Sequence, residues 1–123
     1  MSDSERRRKG AAMMQKVYGD IVPVPPAGQS AFGDLMLEEL FGEIWTRETL
    51  SVRDRRLLTM GVIAALGEKA VWGIQVRAAI ANGELTPEQA RETLIHLAQY
   101  AGYPRVSGLL PVTEDAIAAS GAA

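Results

Sequence analysis

At 123 residues the chain has room for one domain, one modest core and a single active pocket. Hydrophobic residues make up 47% and charged ones 23%, which excludes both a disordered chain and a membrane protein and leaves the fold to be read from pattern. The formal charge of −2 conceals an asymmetry: Arg6, Arg7, Arg8 and Lys9 outweigh Asp3 and Glu5 in the first ten residues, so that segment carries +2 and the remainder −4.

Residues 3–18 read as a first helix, with the basic run as its solvated first turn. No aromatic interleaves with that run before Tyr18 and no recognition motif follows, so nucleic acid is not an expected partner. Gly19 and the proline-rich loop DIVPVPPAGQ (20–29) stop the helix, since prolines cannot continue it. Ser30 is placed to N-cap a second helix carrying Phe32, Leu35, Met36 and Leu40, which Gly42 ends or kinks. Ser51 and Asp54 mark the start of a third helix. From Leu57 to Leu66 nearly every side chain is apolar, so this helix is expected to be buried on all sides and central to the core. Gly67 separates it from a fourth helix over residues 68–82, closed by Asn82-Gly83. Thr86, Pro87 and Gln89 form a capping-box start for a fifth helix to Ala101. Gly102 and Pro104 break it, and a sixth helix is expected over 105–119, before the tail SGAA. Gly61, Gly67 and Gly73 read as close helix packing and helix boundaries.

No segment alternates long enough for a strand. The expectation is one all-α domain over 1–123, a bundle of about six helices with its core in residues 30–110. The opening MSDSERRRKG is too polar to precede a secretory apolar segment, and no 18-residue apolar run exists; a soluble cytoplasmic protein without membrane partners is expected. The chain has no cysteine, which removes disulfides, thiolate nucleophiles and thiol peroxidase chemistry together.

The stretch FGDLMLEELFGEIWTRETLSVRDRRLLTMGVIAALG, followed by RAAIANGELTPEQARETLIHLAQYAGYP, resembles the γ-carboxymuconolactone decarboxylases and the related alkylhydroperoxidase-like proteins. The FGEIWTR element, the Arg55-Arg56-Leu-Leu-Thr helix start, the AxxNG turn and the ending YAGYP occur in the family's order. The resemblance implies a helical subunit that assembles as a trimer or hexamer with pockets near subunit contacts. It also implies loss of carbon dioxide from a lactone carboxylate without metal or organic cofactor. The family's ELxxH-like element falls here on Val71 and Gln75, so neither the glutamate nor the histidine of that pair is present.

Several residues remain as candidates for chemistry. Gln75 sits among apolar neighbours beside Trp72, and either satisfies a backbone or intersubunit group or orients a substrate carbonyl. His96, the one histidine, stands between Glu92 and Tyr100 at helical spacing. It is either an exposed or interface residue or a general acid assisted by one of them; one histidine without a carboxylate cluster makes a poor metal site. Arg47 suits a substrate carboxylate, although Glu38, Glu39, Glu43 and Asp54 are available as partners, and Arg55 suits a structural ion pair. Trp45, Trp72, Tyr100 and Tyr103 line either a pocket for a cyclic ligand or a subunit seam. The reading is a cofactor-free, non-redox enzyme acting on a small cyclic acid or lactone by decarboxylation or a related proton transfer. The alternatives are a catalytically silent binding or assembly subunit and a re-purposed biosynthetic cyclase or isomerase.

Overall fold

A computed structural model describes residues 3–121; the first two residues, and the last two of the SGAA tail, lie outside it. Every regular element among the described residues is helical. The chain divides into two units, residues 1–52 and 53–123, each with its own apolar core.

The first unit holds α1 (Asp3–Tyr18) and α2 (Ala31–Leu35), which runs without a break into a π-helical segment, Met36–Ile44. Ser30 caps α2, its hydroxyl oxygen accepting the Gly33 amide at 3.0 Å. The widened segment ends where the Trp45 amide donates to the carbonyl of Leu40, five residues back, at 2.9 Å. The helix therefore continues through Gly42, which was expected to end or kink it. A Cβ there would lie 3.0 Å from the carbonyl oxygens of Arg6 and Leu37, and one at Gly10 would meet Leu37 O at 1.7 Å. These glycines let α1 and the π-helical segment touch backbone to backbone. Met14, Val17, Leu37, Phe41 and Trp45 form the core of this unit, with Phe41 stacked on Trp45 and edge-on to Tyr18.

The basic run is only half solvated, which corrects the expectation of a solvated turn. Arg7 donates to the Pro25 carbonyl at 2.6 Å and to Asp34 at 3.3 Å, while Arg6 pairs with Glu43 at 2.6 Å. Arg8 and Lys9 are exposed. Two of the four cations thus hold the proline-rich loop and the π-helical segment to α1.

The second unit contains nearly all of α3 (Val52–Leu66), with α4 (Lys69–Ala81), α5 (Pro87–Ala101), a single turn α6 (Tyr103–Val106) and α7 (Leu109–Ala119). The capping box forms as expected: Thr86 Oγ1 accepts the Gln89 amide and Gln89 Oε1 accepts the Thr86 amide. Gly83 supplies the positive φ, 71°, that ends α4. Gly73 brings α4 against α7, where an added Cβ would come within 3.1 Å of Val112. The single sixth helix expected over 105–119 is instead two pieces. Pro111 explains the break: it has no amide to offer the carbonyl of Ser107, and its ring would collide with that carbonyl in a continuous helix.

Met60, Ile63, Ala64, Trp72, Val76, Leu94, Leu109 and Ile117 belong to this unit's core. The expectation that α3 is buried all round is wrong. Leu58, Val62 and Leu66 are 62%, 61% and 62% exposed, because they share one face at four-residue spacing while Met60, Ile63 and Ala64 point inward. Placing a charge at the two kinds of position separates them. Ile63→Asp should abolish cooperative unfolding, since an unpaired buried charge costs several kcal/mol against a total near ~5–15. Val62→Glu should keep native helicity and a cooperative thermal transition, both read by circular dichroism.

Candidate active site

In the second unit, α3 and α5 frame an apolar groove of about 600 Å³. Leu57, Met60 and Gly61 on α3 and Leu97 on α5 form its walls, Leu85 closes one end, and Arg53, Gln89, Glu92, Thr93 and His96 bring polarity to it. Gly61 does not serve close helix packing as expected: a Cβ there would meet nothing nearer than Leu97 Cδ2 at 3.8 Å. Its missing side chain leaves the groove open.

Charge is sparse in this groove. Arg53 is its one cationic lining residue and Glu92 its one carboxylate. Glu92 and His96, four residues apart on α5, occupy the same helical face. The His96 ring lies 5.1 Å from that of Tyr100, one turn further on and 81% exposed. His96 is exposed; the opposing α3 wall that turns exposure into a groove was not visible in the pattern.

Beneath the groove lies a buried ion pair. Arg56 is fully buried. Its Nε–H donates to Glu84 Oε1 at 2.8 Å, an Nη2–H to Glu84 Oε2 at 3.3 Å and an Nη1–H to Gln75 Oε1 at 2.8 Å. Asn82 Nδ2 donates to Glu84 Oε2 at 3.1 Å, and Arg53 Nε–H donates to the backbone carbonyl of Glu84 at 2.9 Å. Three charge-assisted bonds engage the guanidinium, two of them with both oxygens of one carboxylate as its planar fork allows. Removing one partner of such a pair is strongly destabilising because the other charge is left buried. Neither Arg56 nor Glu84 was singled out from sequence, yet Arg56 occupies the inward face that also holds Met60, Ile63 and Ala64, and that periodicity was the available signal.

The sequence candidates fall in different places. Gln75 is 1% exposed and is held by Arg56; Val71, at the other family position, is 38% exposed. Trp72 is sealed in the core, its indole N–H donating to Thr113 Oγ1 at 2.8 Å. Trp45 is buried in the core of the first unit. Arg47 lines a separate recess of about 530 Å³ in that unit with Arg6, Lys9 and Glu43. The structure thus brings His96 and Tyr100 together on α5 and places Gln75 and Trp72 inside the second unit. Among the described residues, no three His, Cys, Asp or Glu side chains gather as a metal site would require. No helix among them is long and apolar enough to cross a membrane.

Residues 30–115 match the carboxymuconolactone decarboxylase family, and the chain belongs to that family. It is 33% identical over 111 residues to a nitrosuccinic acid decarboxylase of Metarhizium robertsii, covering 88% of this chain and 72% of the relative. It is 26% identical over 121 residues to a 4-carboxymuconolactone decarboxylase of Acinetobacter baylyi, covering 94% and 89% respectively. An uncharacterised 15.0 kDa protein of Paracoccus denitrificans is 32% identical over 100 residues, covering 80% of this chain and 69% of its own.

Proposed function

We propose that the protein is a cofactor-free, non-redox lyase that removes carbon dioxide from a small organic acid, cyclic or lactone-like at its reacting end, in the groove between α3 and α5. The observation carrying this reading is the placement of His96 and Glu92 on one face of α5, across from Leu57, Leu58 and Met60 of α3, in a groove with a single arginine. Family membership and two relatives named as decarboxylases support the reaction class.

Decarboxylation breaks the bond between a carbon and its carboxyl group. The electron pair stays on that carbon, is delocalised into an adjacent acceptor such as a carbonyl, and is then protonated. Apolar walls suit the first step, because the localised carboxylate charge becomes dispersed as carbon dioxide forms and low polarity does not hold it back. His96 donates the proton and is reprotonated from solvent through the open groove; Glu92 stands one turn away on the same helical face. Arg53 binds anionic charge on the substrate, and Tyr100 flanks His96. In this reading Gln75 and Trp72 support the groove from the core rather than touching substrate, and Arg47 serves the recess of the first unit.

A screen of small lactones and cyclic keto acids for carbon dioxide release should find turnover. His96→Gln should lower kcat by ~10²–10³, the usual contribution of a positioned acid. Gly61→Leu should fill the groove and abolish activity without loss of helicity. If His96→Gln keeps full kcat, the assignment of the proton donor fails. If no acid loses carbon dioxide, the second reading gains: a silent binding or assembly subunit, favoured by the way Arg56 already engages Gln75.

The same reading includes self-assembly. Leu58, Val62 and Leu66 form a continuous exposed apolar stripe along α3, more than a lone solvated helix ordinarily shows, and Leu58 also edges the groove. We propose a homo-oligomer, trimer or hexamer, with this stripe at the seam. Light scattering at micromolar concentration should give a multiple of 13.3 kDa, and Val62→Glu with Leu66→Glu should shift it toward the monomer; a wild-type monomer would contradict the assembly.

A further inference from the structure

The groove has Arg53 towards one end and His96 towards the other, with an apolar wall on the α3 side between them. Arg53 is tied to the Glu84 carbonyl at 2.9 Å, just before the cap of α5 at Thr86. Further along, Gly61 lies level with Leu97, the nearest side chain to a Cβ built there. These two contacts fix α3 and α5 in parallel direction, with Arg53 at the early end of α5 and His96 at the Gly61 level. From Gln89 to His96 the helix advances by seven residues, about 10 Å at 1.5 Å per residue, and from Arg53 to Gly61 by eight, about 12 Å. Across the interval α3 contributes the apolar Leu57, Leu58 and Met60, and α5 contributes the polar Glu92 and Thr93. A groove of about 600 Å³ falls in the range that accepts ligands well beyond a few carbons.

We infer that the groove takes an elongated acid: a terminal carboxylate held by Arg53, a linker whose apolar side lies along Leu57, Leu58 and Met60 of α3, and a compact, preferably cyclic head at His96 and Tyr100, about 10 Å away by the helix rise. This rests on the reading of the groove as the active site and adds to it the class of substrate. The carboxylate at Arg53 is one the reaction retains, since the bond that breaks is at the His96 end. Arg53 is held in place through Glu84, whose side chain the buried Arg56 fixes. Arg56 and Glu84 are accordingly positioning residues for substrate length.

Binding of phenylalkanoates tests this without requiring turnover, and the single histidine of the sequence gives one imidazole reporter by NMR. Benzoate, phenylpropionate and phenylvalerate are titrated into the full chain. Phenylvalerate should bind at least tenfold more tightly than benzoate and shift the His96 ring signals by ring current, whereas benzoate at Arg53 should leave them in place. Arg53→Gln should weaken phenylvalerate at least tenfold with unchanged helicity, and Arg53→Lys should recover part of the loss. Equal affinity along the series, a His96 shift with benzoate alone, or indifference to Arg53→Gln would each overturn the inference. Length-dependent binding without decarboxylation of any acid tested would leave the two-point groove standing and remove the proposed reaction. Turnover of short acids without length-dependent binding would do the reverse.

Discussion

A guanidinium closed off from solvent must have its charge answered within reach, and the second unit is arranged around that demand. Arg56 obtains both oxygens of Glu84 and the amide oxygen of Gln75. Glu84 belongs to the connection between α4 and α5, and Gln75 to the middle of α4, so one side chain on α3 fixes the position of two neighbouring elements. The Glu84 backbone carbonyl, placed by the same pair, accepts from Arg53, and the next residue, Leu85, closes one end of the groove. The groove and its cation therefore follow from the buried pair beneath them. A well-packed apolar substitute for such a pair is often as stable; what the ion pair adds here is a fixed location for the 82–85 turn.

The first unit uses a different constraint. Its helices meet where Gly10 and Gly42 have no side chain, and a Cβ at Gly10 would run into the Leu37 carbonyl. The π-helical winding of Met36–Ile44 occurs at this crossing, in keeping with the local adjustments that distort helix ladders. Phe41 and Trp45 then stack in its core, which explains why Trp45 reaches no groove.

Much of the helical layout was legible in the sequence because local chemistry dictates it. Ser30 and the Thr86-Pro87-Gln89 box announce helix starts that form with the expected hydrogen bonds. Gly83 announces a stop that only a positive φ permits. What failed depended on which neighbour a residue meets. Leu58, Val62 and Leu66 looked like core because hydrophobicity does not reveal which face finds a partner. Gly42 looked like a terminator, but its role is set by the backbone of α1. At the candidate site, His96 was legible as the one group suited to proton transfer near neutrality, whereas Arg53 needed the fold to bring α3 beside α5. Arg56 stands just before the apolar 57–66 run and was not read as part of it, although its spacing to Met60 marked it as inward.

The central claim is that the buried Arg56–Glu84 pair organises this unit, and a double-mutant cycle measures it most directly. Urea unfolding of Arg56→Met, Glu84→Met and the double variant gives the coupling between the two side chains. Each single substitution should cost ~3–5 kcal/mol by stranding a buried charge or carboxylate. The double substitution should cost less than their sum by about 2 kcal/mol. Two small, additive losses under about 1 kcal/mol each, in the range of an exposed ion pair, would contradict the claim and show that the unit is held by its apolar core alone.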